Sequence, residues 1–183
     1  TMDLKIKEKV VLITGAAGVR ESIGETILQA LAKEGAIPAI VDRNARGFGY
    51  AAELQKIGID ASFFQTDVTE PDQIKAAVEG IVEKYGRIDA VINNVGVNDG
   101  VGLDASYEDF MHSLKLNLVS FYLVVKYALP HVKASKGNIL NIGSKVGLTG
   151  QGNTSGYAAA KGGVLGLTRE WAVDLVKFGI RSN

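Results

Sequence analysis

Short apolar runs alternate with longer segments of helical periodicity along the whole chain. Val10 to Thr14, set between a lysine and a glycine, has the unbroken apolar character of a strand buried on both faces. After the turn TGAAGVRESIG, the residues Ile27, Leu28, Leu31 and Ala32 fall on one side of a helix that Gly35 closes. Ala36 to Val41, ending at Asp42, predicts a second strand; Pro38 cannot donate to a ladder and belongs at its start or at an irregularity. Arg46 to Ile57 reads as a helix, and Ala61 to Thr66, ending at Asp67, as a third strand. The next helix has Thr69 as cap, Pro71 in its first turn, Ile74, Val78, Ile81, Val82 and Tyr85 at helical spacing, and Gly86 at its end. Ile88 to Ile92 predicts a fourth strand, followed by a polar, glycine-rich loop to about Ala105. Ser106 with Asp109 has the form of a capping box opening a helix to about Pro130. That helix is apolar almost all round, so the amide of Asn117 in its middle needs partners. Ile139 to Ile142 reads as a buried fifth strand ending at Ser144, and a last helix begins near Ser155.

This alternation predicts one Rossmann-type domain over residues 1–183, a doubly wound parallel sheet in a three-layer α/β/α arrangement. Ligands on such sheets bind at the carboxyl ends of the strands, where Gly15, Asp42, Asp67, Asn94 and Ser144 all fall. Twenty basic residues balance twenty acidic ones with no run of like charge, which argues against a nucleic-acid partner. The most apolar window, Leu116 to Leu129, is broken by Asn117, Ser120 and Lys126 and is too short for a membrane span. The opening TMDLKIKEKVV lacks the features of a signal peptide, which gives a cytoplasmic expectation. The absence of cysteine removes thiolate chemistry, and His112 and His131 have no spaced ligand partners, so no metal is expected. Trp171 continues the stripe of Val164, Leu167 and Leu175 and is expected to pack in the core or at a subunit interface.

Three features carry candidate chemistry. The glycine-rich turn between a strand and a helix offers free backbone N–H groups and the positive end of a helix dipole to a pyrophosphate. Asp42 ends the second strand, where a carboxylate can bond the ribose hydroxyls of a dinucleotide. Tyr157 and Lys161 stand one helical turn apart, which places an ammonium beside a phenol, and Ser144 can share a substrate oxygen. Together they suit removal of a proton from an alcohol, provided a hydride acceptor lies close by.

These pieces, with Asp67-Val68, Asn93-Asn94-Val95-Gly96 and Asn117, resemble the short-chain dehydrogenase/reductase family over the whole length of the chain. The resemblance implies that Tyr157 is the catalytic acid/base, that Lys161 assists it and binds the nicotinamide ribose, that Ser144 positions the substrate oxygen, and that Asn117 supports a proton-relay water. For Asn117 a buried amide satisfying backbone groups is the alternative. The cofactor set is Gly15, Ser22, Ile23, Asp42, Asp67, Val68, Asn94, Gly96, Tyr157 and Lys161, with NAD as cofactor and NADP, through Arg43 or Arg20, as the alternative. Two departures stand out. The turn from Gly15 to Gly24 is about three residues longer than is usual in the family, with Ser22 where a glycine is expected and Val19, Arg20 and Glu21 forming a bulge. The chain also stops at GIRSN, where a sixth strand should begin and the family continues, which predicts that a C-terminal part is missing. The runs NDGVGL, LPHVKASKG, TGQGNTSGYAA and LTREWA resemble the L-fucose dehydrogenase branch, which implies oxidation of the anomeric hydroxyl of an aldose such as L-fucose. The resemblance also implies a homodimer or homotetramer. A carbonyl reductase for acyl or steroid substrates, and a non-catalytic nucleotide sensor, are the competing readings.

Overall fold

The computed structural model describes residues 3–183. Its centre is a six-stranded parallel sheet in the order β3-β2-β1-β4-β5-β6, formed by Val10–Thr14 (β1), Ile37–Asp42 (β2), Ser62–Gln65 (β3), Ala90–Asn93 (β4), Asn138–Asn141 (β5) and Arg181–Ser182 (β6). The sixth strand is therefore under way at the end of the chain, where Arg181 and Ser182 pair with Asn138 and Ile139. Strand β1 is buried along its length because it lies inside the sheet and under helices on both sides. Its side chains alternate between two cores: Val10 and Leu12 join one, Val11 and Ile13 the other. Pro38 is tolerated in the inner strand β2 because it precedes the first β2–β3 pair, Ala39 with Ser62.

The first core is closed by Pro71–Tyr85 (α3), Ser120–Ser135 (α5) and Ser155–Leu175 (α7), through Ile74, Val78, Ile81, Val124, Ala128, Trp171 and Leu175. The second lies under Ile23–Lys33 (α1) and Arg46–Lys56 (α2), with Leu28 at its centre and Tyr50 and Leu54 packed against it. Trp171 is thus a core residue, as its place in the stripe suggested.

Three local expectations need correction. Thr69 does not cap α3: its N–H and hydroxyl both bond the Asp67 carboxylate, and Glu70 takes the cap position without a side-chain bond. The long helix does not end at Pro130 but runs to Ser135, where Lys136 turns left-handed. Nor is it one α-helix. Tyr107–Leu114 (α4) passes into a π turn at Lys115–Val119 before α5 begins, and Asn117 sits inside that turn. The Ser106 cap holds, with its hydroxyl accepting the Asp109 N–H at 3.0 Å. The Ser106 hydroxyl in turn donates to Asp109 Oδ2 at 2.8 Å, where in a full capping box the carboxylate would accept from the backbone N–H. A short helix that the periodicity did not reveal, Val146–Thr149 (α6), follows Ser144.

Candidate active site

The carboxyl ends of β1, β2, β4 and β5 open onto a cavity of about 420 Å³. On one side of this cavity β1 turns through Gly15, whose φ of +72° suits glycine. A Cβ there would stand 2.6 Å from the Val95 Cα, and one on Gly24 would stand 2.5 Å from the Asn94 Nδ2 and 2.6 Å from the Gly15 carbonyl oxygen. The two glycines therefore keep the close packing of a phosphate cradle, although they are farther apart in sequence than the family pattern expects. Ser22, the residue that departs from that pattern, caps α1 by accepting the Glu25 N–H at 3.2 Å. It aims the helix terminus at the cavity, and Ile23 and Gly18 line the wall beside it.

The inserted residues Val19, Arg20 and Glu21 are exposed and tied back at both ends. The Glu21 N–H donates to Glu25 Oε2 at 2.6 Å, while the Gly18 carbonyl accepts from Arg46 Nη1 at 3.0 Å and from Asn44 Nδ2 at 3.4 Å. The extra length is thus absorbed as a surface loop outside the Gly15–Gly24 contact.

Asp42 is 6% exposed and already engaged. Its two oxygens accept the Ala17 and Asn44 N–H groups, each at 2.8 Å, so the carboxylate pins the glycine-rich turn to the loop after β2. Each oxygen keeps a further lone pair for a ribose hydroxyl. Asp67 also lines the cavity with Val68, and the Thr69 N–H and hydroxyl hold its carboxyl below the usual range. Asn94 joins the ends of β1 and β4 by donating to the Thr14 and Gly15 carbonyls at 3.1 and 3.0 Å. Thr14, which the sequence reading passed over, is its counterpart: the buried hydroxyl accepts the N–H groups of Asn94 and Val95. A small strand-end hydroxyl next to a glycine turn was the available signal.

At the opposite end, α7 carries Tyr157 and Lys161 to the same cavity. The helix can approach closely because Gly156 packs on Ser113 and Gly163 on Leu118, where a Cβ would stand 2.7 and 2.8 Å from side-chain atoms. Lys161 is 2% exposed, donates to the Ile142 carbonyl at 2.8 Å, and lies 5.7 Å from the centre of the Tyr157 ring. Burial pushes its pKa down to about 8. Gly96 faces the pair, and a Cβ there would come within 3.3 Å of both Lys161 Nζ and Asn117 Oδ1.

Asn117 is fully buried and its amide is occupied. Oδ1 accepts the Val97 N–H at 2.8 Å, and Nδ2 donates to the Val97 and Ser113 carbonyls at 3.0 and 3.1 Å. The geometry is that of a buried amide holding the loop after β4. Val97, fixed in this way, lines the cavity. Ser144 lies just beyond the wall formed by Ile142 and Gly143, with its hydroxyl accepting the Val146 N–H at 3.2 Å. A second cavity of about 300 Å³ lies beside the 99–105 loop and is lined in part by Asp99, Asp109 and His112. No group of residues suited to hold a metal ion is found among those described.

An open parallel sheet whose strand order reverses between β1 and β4, with its cleft above that switch point, defines a dinucleotide-binding α/β protein. Within that class the chain belongs to the short chain dehydrogenase family, which it matches over residues 9–183. It is 38% identical over 177 residues to the L-fucose dehydrogenase of Oryctolagus cuniculus, covering 96% of this chain and 60% of that one. The trans-4-hydroxycyclohexanecarboxylate dehydrogenase of Sinomonas cyclohexanicum is 37% identical, with coverage of 98% and 71%. Among solved structures, Cj0485 dehydrogenase superposes with a TM-score of 0.93 at 42% identity, covering all of this chain and 69% of that one. An NAD+-bound xylitol dehydrogenase superposes at 0.90 with 31% identity, covering 98% and 69%. The chain spans between 60% and 66% of the length of the L-fucose dehydrogenases that it matches. The residues present fit NAD(P): Gly15 and Gly24 allow the tight strand-to-helix turn on the cavity wall, and Asp42 stands at the end of β2.

Proposed function

We propose that the protein is a cytoplasmic NAD-dependent dehydrogenase that oxidises the anomeric hydroxyl of an aldose such as L-fucose. One observation supports the catalytic part: Tyr157 and Lys161 line the same cavity as Gly15, Asp42 and Asn94, so a proton acceptor and a bound dinucleotide could share it. When bound there, NAD supplies the hydride acceptor. Gly15, Ser22, Ile23 and Gly24 would hold its pyrophosphate, Asp42 its adenosine ribose, and Asp67 and Val68 the rim beside the adenine, with Asn94 and Gly96 along the path to Lys161. NADP would have to place a phosphate beside the Asp42 carboxylate, and Arg43, also on the cavity wall, is the group that could compensate.

In this reading Tyr157 acts in its ionised form, its phenolate oxygen taking the proton of the substrate hydroxyl. The Lys161 ammonium stabilises the negative charge that passes between the two oxygens, and it is well placed because burial leaves its charge little screened. Ser144, one residue from the wall, would reach the substrate oxygen by turning its hydroxyl from the Val146 N–H. Asn117 acts through Val97 and the loop after β4, and a proton-relay water would have the second lone pair of its Oδ1, beside Gly96, as the one amide site left.

The sugar assignment draws on the similarity to L-fucose dehydrogenases and on the polar segments bordering Tyr157, where Thr154 bonds Asn98 and Asn153 lies against Gly102. A second reading, a carbonyl reductase, is favoured by comparable identity, 34%, to a 3-oxoacyl reductase of Thermotoga maritima and a 3β-hydroxysteroid dehydrogenase of Mediterraneibacter gnavus. A panel of aldoses with NAD, run beside ketoacyl and steroid carbonyls with reduced cofactor, separates them. Reduction of NAD by L-fucose supports the first reading. Turnover of carbonyls alone removes it. We propose further that the chain self-associates through α4, α5 and α7, whose outward faces expose Tyr107, Tyr122 and Val173. Sedimentation as a monomer at micromolar concentration would contradict that.

A further inference from the structure

Lys161 is the one lysine or arginine buried among the described residues. Its ammonium has three N–H donors, and the hydrogen bond it makes within the protein uses one of them, on the Ile142 carbonyl at 2.8 Å. A second partner is aromatic. The ring centre of Phe121 lies 4.8 Å from Nζ, closer than that of Tyr157 and within the reach of about 6 Å over which a ring face attracts a cation. Phe121 is itself fully buried, so the ring cannot swing away and no water competes for the contact. It directly follows the first residue of α5, just past the π turn that carries Asn117. The same turn therefore feeds both the residue that fixes the loop after β4 and the residue that faces the lysine.

We infer that Phe121 is a positioning residue for Lys161: its ring face and the Ile142 carbonyl together seat the ammonium, leaving the remaining donors for the cavity. The contact opposes the effect of burial. Removing a buried lysine from water disfavours its charged form, and the negative face of the ring returns part of what is lost. The groups around Nζ are Tyr157 from α7, the Ile142 carbonyl after β5, Gly96 and Asn117 across the cavity, and Phe121. Tyr157 is the titratable one, and no carboxylate contributes to the lowered pKa, whose cause is burial. A ring that merely filled the core would supply volume, whereas this role depends on how charge is distributed over the ring face.

The test alters that distribution and leaves the shape almost unchanged. Phenylalanine bearing one, two or three ring fluorines is placed at position 121 of the full chain. The Lys161 side chain is then titrated by carbon-13 NMR, its resonance assigned by its loss in Lys161→Met. Fluorine draws density from the ring face, so each addition should lower the Lys161 midpoint, by about 1 pH unit across the series. A midpoint that stays fixed or rises overturns the inference. If the trifluoro protein folds poorly, the slope is read from the mono- and difluoro proteins. The inference rests on the proposed role of Lys161 only for its consequence in catalysis, because the titration is read without nucleotide or substrate. A Tyr157→Phe protein with full turnover would overturn the catalytic reading and leave the lysine seat standing; an unmoved midpoint overturns the seat alone.

Discussion

Replacing Lys161 by methionine should stabilise the nucleotide-free protein near neutral pH, although it removes a residue proposed to be essential for turnover. The reasoning starts from burial: the folded protein holds the ammonium in a site 2% exposed, and its pKa falls from 10.5 to about 8. A difference of that size is worth about 3 kcal/mol of destabilisation while the lysine is charged. Because the folded pKa lies below the unfolded one, the unfolded chain binds more protons between pH 8 and 10.5. Stability therefore rises with pH across that window, and the penalty is complete below it. Methionine has nearly the same length and no charge to bury. It forfeits the bond to Ile142 and the contact with Phe121, so the net gain at pH 7 should be about 1–3 kcal/mol. Urea unfolding of both proteins at intervals from pH 7 to 9.5 measures it, and taking the difference cancels the titration of groups common to both. The advantage of methionine should shrink steadily above pH 8. A difference that stays constant with pH, or a variant less stable at pH 7, would refute the account of Lys161 as a charge held at an energetic disadvantage.

Tyr157→Phe should lower turnover by about 10²-fold or more with little change in nucleotide affinity, checked by steady-state kinetics beside NAD titration. Gly24→Ala should destabilise the fold and abolish nucleotide binding, since its Cβ would stand 2.5 Å from Asn94 Nδ2; thermal unfolding with and without NAD reads both effects. Asp42→Ala should weaken binding of NAD and lower the melting temperature by releasing Ala17 and Asn44, and a variant that gained NADP affinity with no loss of stability would contradict the pinning role. Asn117→Leu should loosen the loop from Val97 onward, seen as faster amide exchange at Val97, and cost about 1–3 kcal/mol from the unpaired backbone groups.

Much of this was legible in the amino-acid order because the pattern was redundant. Five apolar runs each ended in a turn or polar residue, and a parallel sheet has no choice but to gather those ends along one edge. Tyr157 and Lys161 were readable because helical spacing alone fixes their relation. What escaped depended on contacts between distant segments. Thr69 has the hydroxyl of a cap residue, yet Pro71 as first helical residue moves the cap to Glu70, and Asp67 offers a charged acceptor that binds the Thr69 N–H and hydroxyl together. Pro130 looked like a terminus, but α5 carries it within the helix on the way to Ser135. The π turn has no signature of its own. It exists where Asn117 bonds Ser113 and the Val97 backbone, a partner twenty residues away that local periodicity cannot announce. The extra residues of the glycine-rich turn showed where the chain was longer, while the bonds from Arg46, Asn44 and Glu25 that hold the bulge aside involve other elements.

The π turn gives the helix between β4 and β5 one place where its length can change without changing its direction. A π turn holds one residue more than the α-helical register would, so the segment behaves as a single-residue insertion lodged in an otherwise regular element. Deleting one residue among Lys115–Val119 would let the segment close as unbroken α-helix with α4 and α5 still in phase, whereas deleting one within α5 would rotate everything after it by about 100°. In the first case the Phe121 ring keeps its direction toward Lys161 while the turn that carries Asn117 is lost. Where a residue is removed consequently matters more than how much helix remains: circular dichroism would read the two deletions alike, although one spares the side chains that α5 sends toward the cleft and the other turns them away.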